Sequence, residues 1–90
     1  MAGNNGWNLL DNVSIPNSDT EVLGYNKKWE DEDHNPDGIC MCFVSDDGVW
    51  TVSMWCGTCN EWHAMSTDDP NIPEFVGPTH WREKPLKPEL

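Results

Sequence analysis

The stretch ICMCFVSDDGVWTVSMW, residues 39–55, constrains the fold more than any other part of the chain. Two β-rich runs, Ile39 to Ser45 and Val49 to Trp55, flank Asp46-Asp47-Gly48. This pattern predicts an antiparallel hairpin, because a tight turn needs a left-handed residue and glycine adopts that conformation without a Cβ clash. Two registers compete. A two-residue Asp47-Gly48 turn sets Phe43 opposite Val52 and Met41 opposite Met54. A three-residue Asp46-Asp47-Gly48 loop pairs Cys42 with Val52 and Cys40 with Met54. Asp-Asp-Gly suits a type I turn followed by a glycine bulge, so the three-residue loop is the expected one. A slip of one residue would change which side chains share a face.

The remaining sequence also favours short strands. Seven prolines and seven glycines interrupt it too often for long helices. Glu21 to Asn26 and Asn60 to Met65 read as strands, with Cys56 to Cys59 as a turn and Asp68 to Pro73 as a loop. Trp7 to Ile15 is a short apolar stretch stopped by Pro16. Residues 1–6 are expected to be disordered. Residues 7–90 form one domain, whose proline-rich tail from Pro78 to Leu90 is expected to run extended over the body. Ninety residues bury only about 60–65% of their unfolded surface, so the core is small. Six tryptophans, Trp7, Trp29, Trp50, Trp55, Trp62 and Trp81, compensate and read as one core. The expected fold is a small, mostly β domain, an antiparallel sheet or barrel-like unit with at most short helices.

Sixteen acidic residues against five basic ones leave a net charge of −11. Such a chain repels phosphate backbones, which disfavours direct nucleic-acid binding, and it attracts basic surfaces. No segment approaches the roughly 20 apolar residues of a transmembrane helix. The opening MAGNNGW lacks the basic and apolar regions of a secretory signal, so the expected location is the cytoplasm, where thiols stay reduced.

Residues 53–63, SMWCGTCNEWH, concentrate the chemistry-bearing side chains. Cys56-x-x-Cys59 has the spacing of a zinc knuckle, but Cys40-x-Cys42 does not match it as a second one. The favoured reading is therefore four reduced, metal-free thiols that pack as small hydrophobes. The alternative is a small zinc-binding structural protein that uses Cys40, Cys42, Cys56 and Cys59. Asp31-x-Asp33-x-Asn35 opens like a calcium loop, but Pro36 and Cys42 stand where that loop needs glycine and glutamate. There is no phosphate-binding glycine loop and no nucleophile elbow, and His34, His63 and His80 read as hydrogen-bonding residues. No enzyme activity and no cofactor are expected.

The five cations fall in two places, Lys27-Lys28 and Arg82, Lys84 and Lys87. If the tail crosses the Tyr25–Trp29 region, Lys27, Lys28, Trp29, His80, Trp81, Arg82 and Lys84 would make one aromatic and cationic pocket. Such a pocket suits a small anionic, nucleotide-like ligand, through stacking and phosphate pairing.

Gly6-Trp7, Val13, Pro16, Glu21-Val22-Leu23 and Tyr25, with Pro78-Thr79-His80-Trp81 and then Pro85 and Pro88, resemble Domain of Unknown Function 551. The chain departs from that pattern at Arg82-Glu83-Lys84, in the acidic loop at 30–37 and in its cysteine pairs. Members are small tryptophan-rich proteins, frequent in phages and prophages. The resemblance implies a compact, mostly β phage protein and carries over no activity or functional residue. By analogy, a phage accessory protein of this size works by stoichiometric binding, as in counter-defence. Two expectations compete. Either the protein sequesters the anionic ligand described above, or it is an acidic inhibitor that covers a host protein's basic surface as a nucleic-acid mimic, with Glu30, Asp31, Glu32 and Asp33 as its densest run. The oligomeric state is left open.

Overall fold

Six short strands make one antiparallel sheet in the computed structural model, which describes residues 6–11, 15–85 and 88. Expectations that fall on residues 1–5, Val13 and Lys87 lie outside the described residues. In chain order the strands are β1 (Asn8–Leu9), β2 (Val22–Tyr25), β3 (Ile39–Val44), β4 (Trp50–Cys56), β5 (Glu61–Ser66) and β6 (His80–Glu83). A single 3-10 turn at Lys27–Trp29 is the one helical element among the described residues. The sheet order is β1-β6-β2-β3-β4-β5. The protein is mostly β, and among the described residues no helix is long and apolar enough to cross a membrane.

The β3–β4 hairpin adopts the three-residue register. Cys42 pairs with Val52 and Val44 with Trp50, and Cys40 Sγ lies 3.6 Å from Met54 Sδ. Gly48 has φ +84°, with its N–H donating to Ser45 O at 3.0 Å. The turn therefore depends on a backbone conformation that a β-branched residue tolerates poorly.

The tail corrects one expectation. His80–Glu83 does not lie over the body but enters the sheet as a strand between β1 and β2, pairing Gly24 with Trp81 and Asn8 with Trp81. Only the residues before it cross the 3-10 turn. There Asn26 Nδ2 donates to Gly77 O at 2.6 Å, and Trp29 Nε1 donates to Val76 O at 3.0 Å. Asn26 is buried and also caps the turn, accepting from Lys28 N–H at 2.8 Å, so both ends of its amide are bonded.

Alternation along the strands gives the sheet two unlike faces. One face is dry: Val22, Cys40, Cys42, Val44, Trp50 and Val52 are buried there, with Trp29 laid over them. Burying an indole removes on the order of 200 Å² from water, worth up to ~5 kcal/mol before entropy is counted. Glycine at position 24 makes room for this packing. A Cβ there would stand 2.6 Å from Cys42 Sγ, 3.1 Å from Pro78 Cβ and 3.4 Å from the Trp29 ring. The opposite face carries Leu23, Tyr25, Met41, Phe43 and Trp55, all half-buried, with Ile39 and Trp62 exposed. The six tryptophans thus do not form one core. Trp29 and Trp50 are buried in a cluster against which Trp81 packs, whereas Trp7, Trp55 and Trp62 lie on the other side.

Candidate functional site

The seven residues of the expected anionic pocket are not brought together. Trp29 is 3% exposed and serves the core, so it has no free face for stacking. Lys27 and Lys28 stand just beyond the Tyr25 end of β2, where Tyr25 pairs with His80. Lys84 lies beyond the other end, where Val22 pairs with Glu83, and its Nζ is 2.9 Å from Glu21 Oε1. At about 3.3 Å per strand residue, the two cationic groups are separated by roughly 15–20 Å. Arg82 lies over the Trp7 ring, 6.0 Å from its centroid, and Trp81 packs on the core. His80 contacts Thr79 Oγ1 at 3.0 Å and meets the Tyr25 ring edge-on at 6.0 Å. A groove of about 420 Å³ lies elsewhere, and its charged lining residues, Asp11 and Asp46, have the wrong sign for an anion.

The acidic loop is better placed. Its four acids divide by role. Glu30 Oε2 accepts from the Tyr25 hydroxyl at 3.2 Å. Asp31 turns inward: its Oδ1 accepts from the N–H groups of Asp33 and His34 at 3.0 and 3.1 Å. Those two bonds hold its carboxyl below the usual carboxylate range, with the nearby His34 ring adding to the effect. Glu32 and Asp33 are left exposed at the tip. The loop closes on itself through Asp31 and Asn35, whose backbones exchange two hydrogen bonds of 2.9 Å.

Folding of this loop sets His34 flat on Trp55, with ring centroids 3.8 Å apart and an interplanar angle of 9°. Trp62, the cross-strand partner of Trp55, meets it edge-on at 5.8 Å and is 46% exposed. The acids at 30–33 are therefore fastened to the open sheet face at two points, Tyr25 and Trp55. The sequence shows the acids but not this attachment. Its signal is faint: His34 is 21 residues from Trp55, and only the β3–β4 register brings Ile39, and the loop before it, beside Trp55.

The four cysteines also divide. Cys40 and Cys42 sit in the core, and Asn35 Nδ2 donates to Cys40 Sγ at 3.2 Å. Burial pushes the Cys42 thiol up to about 12, with help from the Cys40 and Glu21 charges. Cys56 is half-buried and Cys59 exposed, at the turn between β4 and β5. Cys56 Sγ, Cys59 Sγ and a ring nitrogen of His63 all lie within 4.8 Å of one another. The His63 imidazole, with the Cys59 N–H behind it, lowers the Cys56 thiol to about 7. In return the Cys56 sulfur raises the pKa of His63. A zinc set of all four cysteines is not assembled: among the described residues, the group close enough to hold a metal contains His63 in place of Cys40 and Cys42. Strand alternation holds the signal that the cysteine spacing lacks, because Glu61 pairs with Cys56 and His63 therefore projects from the same face as Cys56.

Comparison with family models, with curated proteins and with solved structures finds no match to this chain.

Proposed function

We propose that this protein is a non-enzymatic binding protein that docks, through the acidic loop at 30–33 and the aromatic face beside it, on a basic surface of a partner protein. One observation carries the reading: the 3.8 Å stack of His34 on Trp55, which anchors the loop bearing the exposed Glu32 and Asp33 to an indole that itself meets the exposed Trp62 edge-on. Lysine and arginine side chains use both groups. Their cationic heads pair with carboxylates, and arginine also stacks on indole faces. The net charge of −11 steers such a partner inward from a distance. The anionic-ligand reading lacks a comparable support, since Lys27 and Lys28 stand beyond one end of β2 and Lys84 beyond the other. On the phage resemblance drawn from the sequence, the partner is a host-defence protein in the host cytoplasm.

Two parallel titrations, with an arginine-rich peptide and with a panel of nucleotides, test the proposal. The peptide is expected to bind in a salt-sensitive manner, because exposed charges are screened within about 10 Å at 0.1 M salt. Trp62→Ala, and separately Glu32→Lys with Asp33→Lys, should each weaken it at least tenfold, about 1.4 kcal/mol. A nucleotide that stabilises the fold by about 2.7 kcal/mol at 100 times its dissociation constant, with no binding of the peptide, would sink the proposal. In that event Arg82→Ala with Lys84→Ala becomes the decisive variant.

A further inference from the structure

We infer that Cys56, Cys59 and His63 form a binding site for one zinc-class divalent metal ion, at the exposed end of the β4–β5 hairpin. The inference is independent of the docking proposal, which uses the acidic loop and the opposite sheet face.

Geometry comes first. The three ligand atoms lie within 4.8 Å of one another. A tetrahedral ion with metal–sulfur bonds of about 2.3 Å needs its sulfurs about 3.8 Å apart. The side chains must close by about 1 Å or less, and at least two of the three are exposed and can turn to do so. The backbone is already arranged as a knuckle. Asn60 occupies the left-handed region at φ 58°, and its N–H donates to Cys56 O at 2.8 Å, which curls Cys59 back toward Cys56. The Cys59 N–H points at Cys56 Sγ at 3.4 Å. A backbone donor aimed at a sulfur favours the thiolate, which is the form that ligates.

Chemistry selects the ion. Two thiolates and an imidazole are soft and borderline donors, which suit Zn²⁺ and discriminate against Mg²⁺ and Ca²⁺. The spacing Cys-x₂-Cys-x₃-His places all three donors within eight residues of one hairpin, so the site closes without help from the core. Three protein ligands leave the fourth tetrahedral position to water or to a donor from a partner. Glu61, cross-strand from Cys56, contributes negative charge that acts on His63 and favours a bound cation, though it lies outside the ligand group.

The test is a cobalt titration of the full chain, held reduced and first stripped of metal by a chelator. The expected result is saturation at one Co²⁺ per chain, with tetrahedral ligand-field bands and a thiolate charge-transfer band, all abolished by one equivalent of Zn²⁺. Removing a group that only orients a metal ligand costs roughly 10–100-fold in affinity, so loss of a ligand itself in Cys59→Ser or His63→Gln should exceed that. Both positions are exposed, and the far-ultraviolet circular dichroism of these variants should match the parent chain. Cys40→Ala should leave the spectrum and the affinity unchanged. Absence of the charge-transfer band would overturn the inference, as would undiminished binding by Cys59→Ser or loss of binding in Cys40→Ala.

Discussion

Two cysteine pairs lie 14 residues apart on adjoining parts of the same sheet, and one cysteine of each, Cys42 and Cys56, is shifted in the opposite direction to the other. Cys40 and Cys42 face the core, where a thiolate would lose its hydration, so the Cys42 thiol rises to about 12. Cys56 lies at the hairpin end beside an imidazole and a backbone donor, and falls to about 7. The side chains are identical, and what differs is access to water and to hydrogen-bond donors. A cysteine in this protein is a core atom or a ligand according to its distance from the Trp29–Trp50 packing, not according to its motif.

The largest expected difference between the pairs is in reactivity. At about pH 7.5 the thiolate populations of Cys42 and Cys56 differ by roughly 10⁴-fold. The weaker nucleophilicity of a less basic thiolate offsets roughly 10² of that, leaving about 100-fold before burial is counted. Iodoacetamide labelling of the metal-free native protein, read by peptide mass spectrometry, should therefore modify Cys56 and spare Cys42. Because the folded protein favours the Cys56 thiolate, its labelling should be fast above about pH 7 and fall as pH drops through that value. Equal labelling of Cys42 and Cys56 would break the comparison.

Stability should separate the pairs next. Gly24→Ala drives a methyl group into Cys42 Sγ and Pro78 and should cost about 1–3 kcal/mol in urea unfolding. Cys42→Ser places a hydroxyl among apolar side chains and should cost a similar amount, about 1–3 kcal/mol. Cys59→Ser, at an exposed turn, should change metal-free stability by no more than about 0.5 kcal/mol. If it costs as much as Cys42→Ser, the hairpin end belongs to the cooperative core and the distinction fails.

The two hairpin turns sharpen the contrast with the smallest effects. Gly48 has open space around it and φ +84°, so Gly48→Val strains only the backbone and should cost about 1–2 kcal/mol. Gly57 also has open space but no positive φ, because Asn60 supplies the left-handed residue of that turn. Gly57→Ala should then be neutral within about 0.5 kcal/mol, and thermal denaturation of the two variants side by side would show it.

Several of these contrasts are legible in the amino-acid order. Asp46-Asp47-Gly48 between β-rich runs specifies the hairpin, its register and the positive φ of Gly48. The reason is local: a turn type and the period-two alternation beside it depend on a few adjacent residues. The acidic run at 30–33 is visible as composition. The ligand trio is half visible, as a Cys-x-x-Cys turn without its histidine.

Other features come only from contacts between distant segments. Nothing near Pro78 marks His80–Glu83 as an interior strand, because the ladder that makes it one is supplied by Asn8–Leu9 on one side and Val22–Tyr25 on the other. Nothing local assigns Trp29 to the core and Trp62 to the surface, since both are indoles among polar neighbours. Sequence alone determined that this chain folds as short antiparallel strands with a strongly acidic surface, because turn chemistry and charge act at short range or in sum. Tertiary structure alone decided which tryptophans became core, which cysteines met a histidine and which cations stayed apart. Those outcomes depend on the register and order of strands that are remote in sequence, and on which face of the sheet the loops before β3 and β6 come to cover.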